Sequence, residues 1–278
     1  MDLADPIQPQ HVLKGHNAPV TSLTIHPLRR NVLLSGSADQ SVKVWDLSST
    51  SLVEDFPLKF GEVQNLKWNP SQESSFLCQS GTNELRQFDL RTSKDPISSV
   101  VLKSAPIDSL EFNSRNPEQF FIASEDGQIA MHDARMLSEK PLYSVQAHNK
   151  SVPGLSSAGD YLVSNSLDGK LRIWDLKSED KIKIVKEKET PLKQLFVSSI
   201  HPENPFLFAC GAQGAEVVVW DFFEEVEKGK EAQNPEIGGK DKHDLDMEEN
   251  ESNNLQICLL YTSPSPRDQR GSRMPSSA

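Results

Sequence analysis

GHNAPVTSLTIHPLRRNVLLSGSADQSVKVWDL, residues 15–47, holds three short apolar runs separated by polar turns. Val20, Leu23 and Ile25 mark the first run, Val32 to Ser37 the second, and Val42-Lys43-Val44-Trp45 the third. Runs this short, rich in Val and Ile and bounded by Gly, Asn, Asp and Ser, predict β-strands. The apolar stretches are nearly continuous rather than strictly alternating. Strands covered on both faces have that composition.

The same order of runs returns four more times. Each copy ends on an aromatic-Asp pair or a close relative: Trp45-Asp46, Phe88-Asp89, His132-Asp133, Trp174-Asp175 and Trp220-Asp221. The spacings are 43, 44, 42 and 46 residues. This period and dipeptide resemble the WD40 repeat, in which each repeat forms one four-stranded propeller blade. The expectation is an all-β propeller with five recognisable blades over residues 14–221, part of a larger ring of about seven. Such blades contribute packed sheet and surface loops, and no chemistry.

The turn before the third strand carries Asp39, Asp126 and Asp168 in blades one, three and four, six residues ahead of the aromatic position. Together with His16 and His148 they resemble the His–Ser/Thr–Asp–Trp hydrogen-bond network of WD40 blades. Blade one would use His16, Ser35 or Ser37, Asp39 and Trp45; blade four would use His148, Ser164 or Ser166, Asp168 and Trp174. Trp220 holds the aromatic position of blade five. Buried polar groups must find partners, and a closed network locks the turn to the strand. Blades two, three and five lack the His. Thr82 and Gly214 stand where blades two and five should carry the Asp, so those blades are expected to be less rigid. A His, a Ser and an Asp also spell a catalytic triad, but these recur at the repeat spacing, which favours a scaffold role.

The net charge of −11 is uneven. Residues 222–256 carry 11 acids against 4 lysines, while 258–278 carry three Arg and one Asp, leaving −6 for residues 1–221. An acidic chain is a poor candidate for duplex binding by phosphate neutralisation. Arg29, Arg30, Arg91 and Arg135 lie in or beside loops and are the candidate partner-binding residues. Cys78, Cys210 and Cys258 are few and lack metal-ligand spacing, as in a reducing compartment; the first two read as buried small hydrophobes. No signal peptide is visible and no apolar run approaches the ~18 residues of a membrane span. A soluble, intracellular chain is expected.

The ends differ from the middle. Residues 1–13 lead into Gly15-His16 through Gln10 to Lys14, where the outer strand of a preceding blade usually lies. That strand either completes blade five or belongs to a longer ring. Residues 222–257 form an acidic stretch too polar to fold, predicting disorder. Residues 258–278, CLLYTSPSPRDQRGSRMPSSA, resemble translated adapter or primer sequence.

Several segments resemble the periodic tryptophan protein 1 family. They include residues 13–47, VQNLKWNP (63–70), FFIASEDGQIAMHDAR (120–135), AHNKSVPGL (147–155), YLVSNSLDGKLRIWDL (161–176) and PFLFACGAQGAEVVVWD (205–221). The match runs in order over about residues 11–221, and it corresponds to the family's C-terminal five blades. The resemblance implies a nuclear, nucleolar scaffold in ribosome biogenesis, acting in large-subunit assembly and rRNA processing. Its implied partners are pre-ribosomal assembly factors or ribosomal proteins, with rRNA contact inside a particle.

Two other function classes remain. An enzyme is disfavoured, since the chain has no P-loop, no GxSxG elbow, no HExxH and no GxGxxG opening a helix. No cofactor, metal, membrane or small-molecule substrate is expected. The alternative is a substrate receptor for a cullin-RING ubiquitin ligase. Asp89-Leu90-Arg91 and Asp133-Ala134-Arg135 resemble the WDxR box by which some propellers dock a ligase adaptor.

Overall fold

The computed structural model describes residues 11–222, apart from 93, 104, 179–180, 191–193, 202–203, 205 and 213–216. Gln10, Gly214, and the stretches 223–257 and 258–278 lie outside the described residues. The described chain contains strands, turns and bends and no helix.

Five antiparallel sheets follow one another. Blade one consists of β1 (Val20–Ile25), β2 (Val32–Ser37), β3 (Ser41–Asp46) and β4 (Ser51–Pro57). Blade two consists of β5 (Val63–Trp68), β6 (Ser75–Ser80), β7 (Glu84–Asp89) and β8 (Ser98–Val101). Blade three holds β9 (Ile107–Phe112), β10 (Gln119–Ser124), β11 (Gln128–Asp133) and β12 (Tyr143–Gln146). Blade four holds β13 (Gly154–Ala158), β14 (Tyr161–Asn165), β15 (Lys170–Asp175) and β16 (Lys183–Glu189). Blade five holds β17 (Leu195–Ile200), β18 (Leu207–Ala212) and β19 (Val217–Asp221), and its sheet has three strands among the described residues. Residues 11–14 are not in a strand. Each aromatic-Asp pair closes the third strand of its blade.

Register is repeated as well as order. Leu33 faces Trp45, Phe76 faces Phe88, Phe120 faces His132, Leu162 faces Trp174 and Phe208 faces Trp220 across the second and third strands. This fixes which residues are equivalent between blades, because a one-residue slip would reverse every side chain.

The core lies between blades, not within them. Leu34, Val44 and Phe56 of blade one pack with Leu66, Trp68 and Phe76 of blade two. Three further clusters join blade two to three, three to four, and four to five. Inner strands run side by side in the series β1, β5, β9, β13, β17. Phe222, assigned to the tail on its sequence, is fully buried against Tyr161 and Phe208 in the last cluster. An aromatic side chain directly after a third strand fills that space, however polar the residues beyond it are. The outer faces of the terminal blades carry exposed apolar side chains: Leu23 and Ile25 on β1, and Val197 and Val219 on blade five.

The turn between second and third strands needs one residue in the left-handed region. Gly127 (φ 86°) and Gly169 (φ 81°) supply it in blades three and four, while Gln40 (φ 64°) does so in blade one. Only glycine enters that region without a steric penalty.

Candidate functional site

In blade one, His16 reaches the site from the segment ahead of β1, Ser35 from β2, Asp39 from the β2–β3 turn and Trp45 from β3. Trp45 Nε1–H donates to Ser35 Oγ at 2.7 Å. Ser35 Oγ also lies 2.7 Å from His16 Nε2, and His16 Nδ1 lies 2.9 Å from Asp39 Oδ2. An ionised Asp39 can only accept, so the Nδ1 proton is assigned to face it, and in that tautomer the Ser35 hydroxyl donates to His16 Nε2. Asp39 Oδ2 also accepts the Asn17 amide and its Oδ1 the Ser41 hydroxyl. Burial alone would raise the Asp39 carboxyl. The hydrogen bonds from Ser41, Asn17 and His16 outweigh it and hold the group well below the carboxylate range.

Blade four repeats the set. Trp174 Nε1–H donates to Ser164 Oγ at 2.9 Å, His148 Nε2 lies 2.8 Å from that oxygen, and His148 Nδ1 lies 3.3 Å from Asp168 Oδ2. Burial depresses the His148 pKa to about 4. Burial raises Asp168 too, but the Lys170 and Asn149 amides pull it below its ordinary value.

The order Ser–His–Asp is that of a hydrolytic triad, yet the geometry blocks the role. Each hydroxyl accepts an indole N–H, and Ser35 and Ser164 are both buried. A nucleophile needs a path to substrate and a base poised near the working pH. These groups anchor a turn.

Blades two, three and five lack this set. In blade two the equivalents of Ser35 and Trp45 are Cys78 and Phe88, and Phe88 stacks on Phe76 with centroids 5.1 Å apart. Cys78 is fully buried, and burial pushes its thiol up to about 12. Apolar groups thus close the same space without hydrogen bonds. Blade three keeps Asp126, which among the described residues accepts the Ser124 hydroxyl (2.6 Å) and the Gln128 amide (3.2 Å) within its own turn. Trp220 of blade five faces Phe208 at 5.3 Å and lies under Lys188 Nζ at 4.4 Å. Its blade carries Cys210 at the serine position.

The four surface arginines divide into three kinds. Arg91 grips Asp89 with two bonds, Nε–Oδ1 3.1 Å and Nη2–Oδ2 2.7 Å. Arg135 does the same to Asp133 at 3.0 and 2.6 Å, and adds Glu118 at 3.0 Å. The Arg91 clamp pulls Asp89 down to about 2, and the Arg135 clamp lowers Asp133. Arg29 bridges to Glu73 of the next blade at 2.9 Å. Arg30 is exposed.

Sequence reasoning missed the links between blades. Ser22 Oγ accepts the Leu66 amide at 3.0 Å, Ser109 Oγ the Leu155 amide at 3.1 Å, and Ser156 Oγ the Ile200 amide at 3.0 Å. It also missed buried His26, whose Nδ1 accepts the Leu28 and Arg29 amides while Nε2 contacts Glu73 O at 2.7 Å. The signal was present: His26, Asn69, Asn113 and His201 recur at the repeat spacing just after the first strand. Among the described residues no group of His, Cys, Asp and Glu could hold a metal ion, and no helix is long and apolar enough to cross a membrane.

Comparison with known proteins agrees with this geometry. Residues 7–46 and 139–175 match the WD domain, G-beta repeat. A "Periodic tryptophan protein 1 homolog" of Drosophila melanogaster is 26% identical over 204 residues, covering 72% of this chain and 44% of that protein. "Pre-mRNA-processing factor 17" of Saccharomyces cerevisiae is 25% identical over 70% of this chain and 43% of its own length. "Histone acetyltransferase type B subunit 2" of Kluyveromyces lactis is 32% identical over 48% of this chain and 33% of its own. The chain thus spans less than half the length of these relatives. It is an all-β chain with WD40 repeats, built as consecutive propeller blades that form no closed ring among the described residues.

Proposed function

We propose that this chain is a non-catalytic docking platform in nucleolar ribosome biogenesis, acting in large-subunit assembly and rRNA processing. The observation that carries this reading is the in-order similarity to a periodic tryptophan protein 1 homolog over most of the repeat region. The geometry supports the non-catalytic part, because the His, Ser and Asp of blades one and four are spent on one another and on buried tryptophans. Fold alone does not specify a partner, and propeller loops vary freely. Residues 14–221 would be the docking unit. Its partners would be pre-ribosomal assembly factors or ribosomal proteins, with rRNA touched inside a particle through cations such as exposed Arg30.

The test is gradient sedimentation of nuclear extract containing the full-length protein. Co-migration with large-subunit precursors, lost on treatment that dissociates the particles, is the expected result. Free migration in every condition would overturn the assembly role.

A second reading has one observation in its favour. The Arg91 and Arg135 guanidinium groups remain largely exposed while clamped on Asp89 and Asp133, in consecutive blades. This is a preformed pair of surface Asp–Arg units of the kind a ligase adaptor would grip. Pull-down of a cullin-RING adaptor, abolished by Arg91→Ala with Arg135→Ala, would support that reading over the first.

A further inference from the structure

We propose that a cavity on blade three, beside the link from β8 to β9, receives an aromatic side chain presented by an acidic linear peptide. The cavity measures about 430 Å³. It lies where blade four carries its polar anchor. The register makes the residues comparable: Ile122 faces Ala130 as Ser164 faces Arg172, and Phe120 faces His132 as Leu162 faces Trp174. Blade three therefore has Ile122 for the serine, Ala130 for the arginine and His132 for the tryptophan. Lys103 stands at the place of the histidine, 23 residues before Asp126 as His16 is before Asp39.

The exchange removes an indole and a guanidinium and puts nothing of equal size in their place. His132 cannot swing out to fill the gap. Its ring is stacked on Phe120 with centroids 5.5 Å apart and 17° between planes. Buried Leu102 and Ile122 line the hollow with Ala130, and Pro141 forms a wall. In blades one and four this volume is closed from within, by Trp45 and Trp174, each bonded to the serine beside it. Here a ring must come from outside.

The rim sets the rest of the chemistry. Exposed Lys103 and Lys140 face a single acid, Glu139, which pairs with Lys103 at 2.9 Å. The mouth is thus net positive on a chain of net charge −11. Ser144 lines the same hollow from β12, the edge strand of its sheet, beside which an extended segment can lie. An aromatic anchor in an apolar pocket with acids on a cationic rim is a common hot-spot arrangement. The proposal concerns the isolated chain, so it stands or falls separately from the pre-ribosomal reading.

The test is fluorescence anisotropy of a labelled peptide, two glutamates, a tryptophan and two glutamates, titrated with the full 278-residue chain. Saturable binding is expected, about tenfold weaker when alanine replaces the peptide's tryptophan and when lysines replace its glutamates. Ala130→Arg and His132→Trp refill the hollow from within and should each weaken binding about tenfold without lowering the thermal midpoint. Lys103→Glu should weaken it by charge. Should one filling variant misfold, the other still reads the pocket. Equal binding of the tryptophan and alanine peptides, or undiminished binding by a folded filling variant, would overturn the proposal.

Discussion

The indole N–H of Trp45 and the hydroxyl of Ser35 form a hydrogen bond 2.7 Å long, buried where β3 pairs with β2. Ser35 is the hub, since His16 meets the same oxygen. Ser35→Ala should therefore cost about 2 kcal/mol, because it orphans a buried donor and a buried acceptor. Trp45→Phe in the same molecule removes the orphaned donor. The double variant should lose less than the sum of the singles, by about 0.5–3 kcal/mol. Denaturant midpoints of the four proteins measure this, and strict additivity would contradict it.

Asp168→Ala should destabilise more than Thr82→Ala. Asp168 accepts from His148, the Asn149 amide and the Lys170 amide, and its loss leaves His148 Nδ1 without its partner. A loss of roughly 1–3 kcal/mol is expected for Asp168→Ala, and less for the blade-two position. Equal shifts in the urea midpoint would dismiss the difference between the two blades.

Stability should fall on acidification before ordinary carboxylates titrate. His148 is buried in its neutral form, with a pKa lowered from 6.5 to about 4. Its contribution is complete above the unfolded value. As pH drops from about 6.5 toward 4 the unfolded chain takes a proton that the folded chain refuses, so stability decreases across that window. The full effect is on the order of 3 kcal/mol. Asp39 and Asp168, both lowered, add a second loss once pH falls below their ordinary value of 3.8. A His148→Gln variant should lack the first step, as followed by thermal midpoint against pH. A wild-type midpoint that is flat between pH 6.5 and 4 would contradict the assignment.

Gln40→Gly should stabilise the protein. Gln40 occupies the left-handed position that glycine fills in blades three and four. Relief of about 1–2 kcal/mol of strain outweighs the ~0.4–1 kcal/mol that glycine adds to unfolded-chain entropy. Gly127→Ala should do the reverse, since a Cβ there would sit 2.1 Å from His148 O. Thermal scans of both variants decide the matter, and a lower midpoint for Gln40→Gly would refute it.

Much of this was legible in the chain itself. Val42-Lys43-Val44-Trp45 and its counterparts announce a third strand, and the pairing of His16 with Asp39 follows from repeat spacing. Gln40 gave no sign, because nothing in a glutamine marks a left-handed turn. Arg91 and Arg135 read as candidate partner-binding cations in Asp-x-Arg boxes, and the structure adds that each clamps the aspartate two residues before it. The hollow beside His132 was invisible for a different reason. A missing ring matters only if no neighbour fills its volume, and that depends on how Leu102 and the loop through Pro141 fold over it. Phe222 shows the limit of composition, since the acids next to it in the chain disguise a buried side chain.

The exchange of Ser35 and Trp45 for Cys78 and Phe88 in the second blade constrains mutational history. Two single changes separate these pairs, and their order is not neutral. Replacing tryptophan by phenylalanine first leaves the serine bonded to its histidine. Replacing serine by cysteine first strands an indole N–H in a dry interior, with only a weak acceptor beside it. The two anchors are therefore neighbouring fitness peaks joined by a single ridge, through the serine–phenylalanine pair. A library that walks blade one toward the blade-two pair under selection for folding should fix the aromatic change first, and blades of the two types should drift apart without interconverting freely.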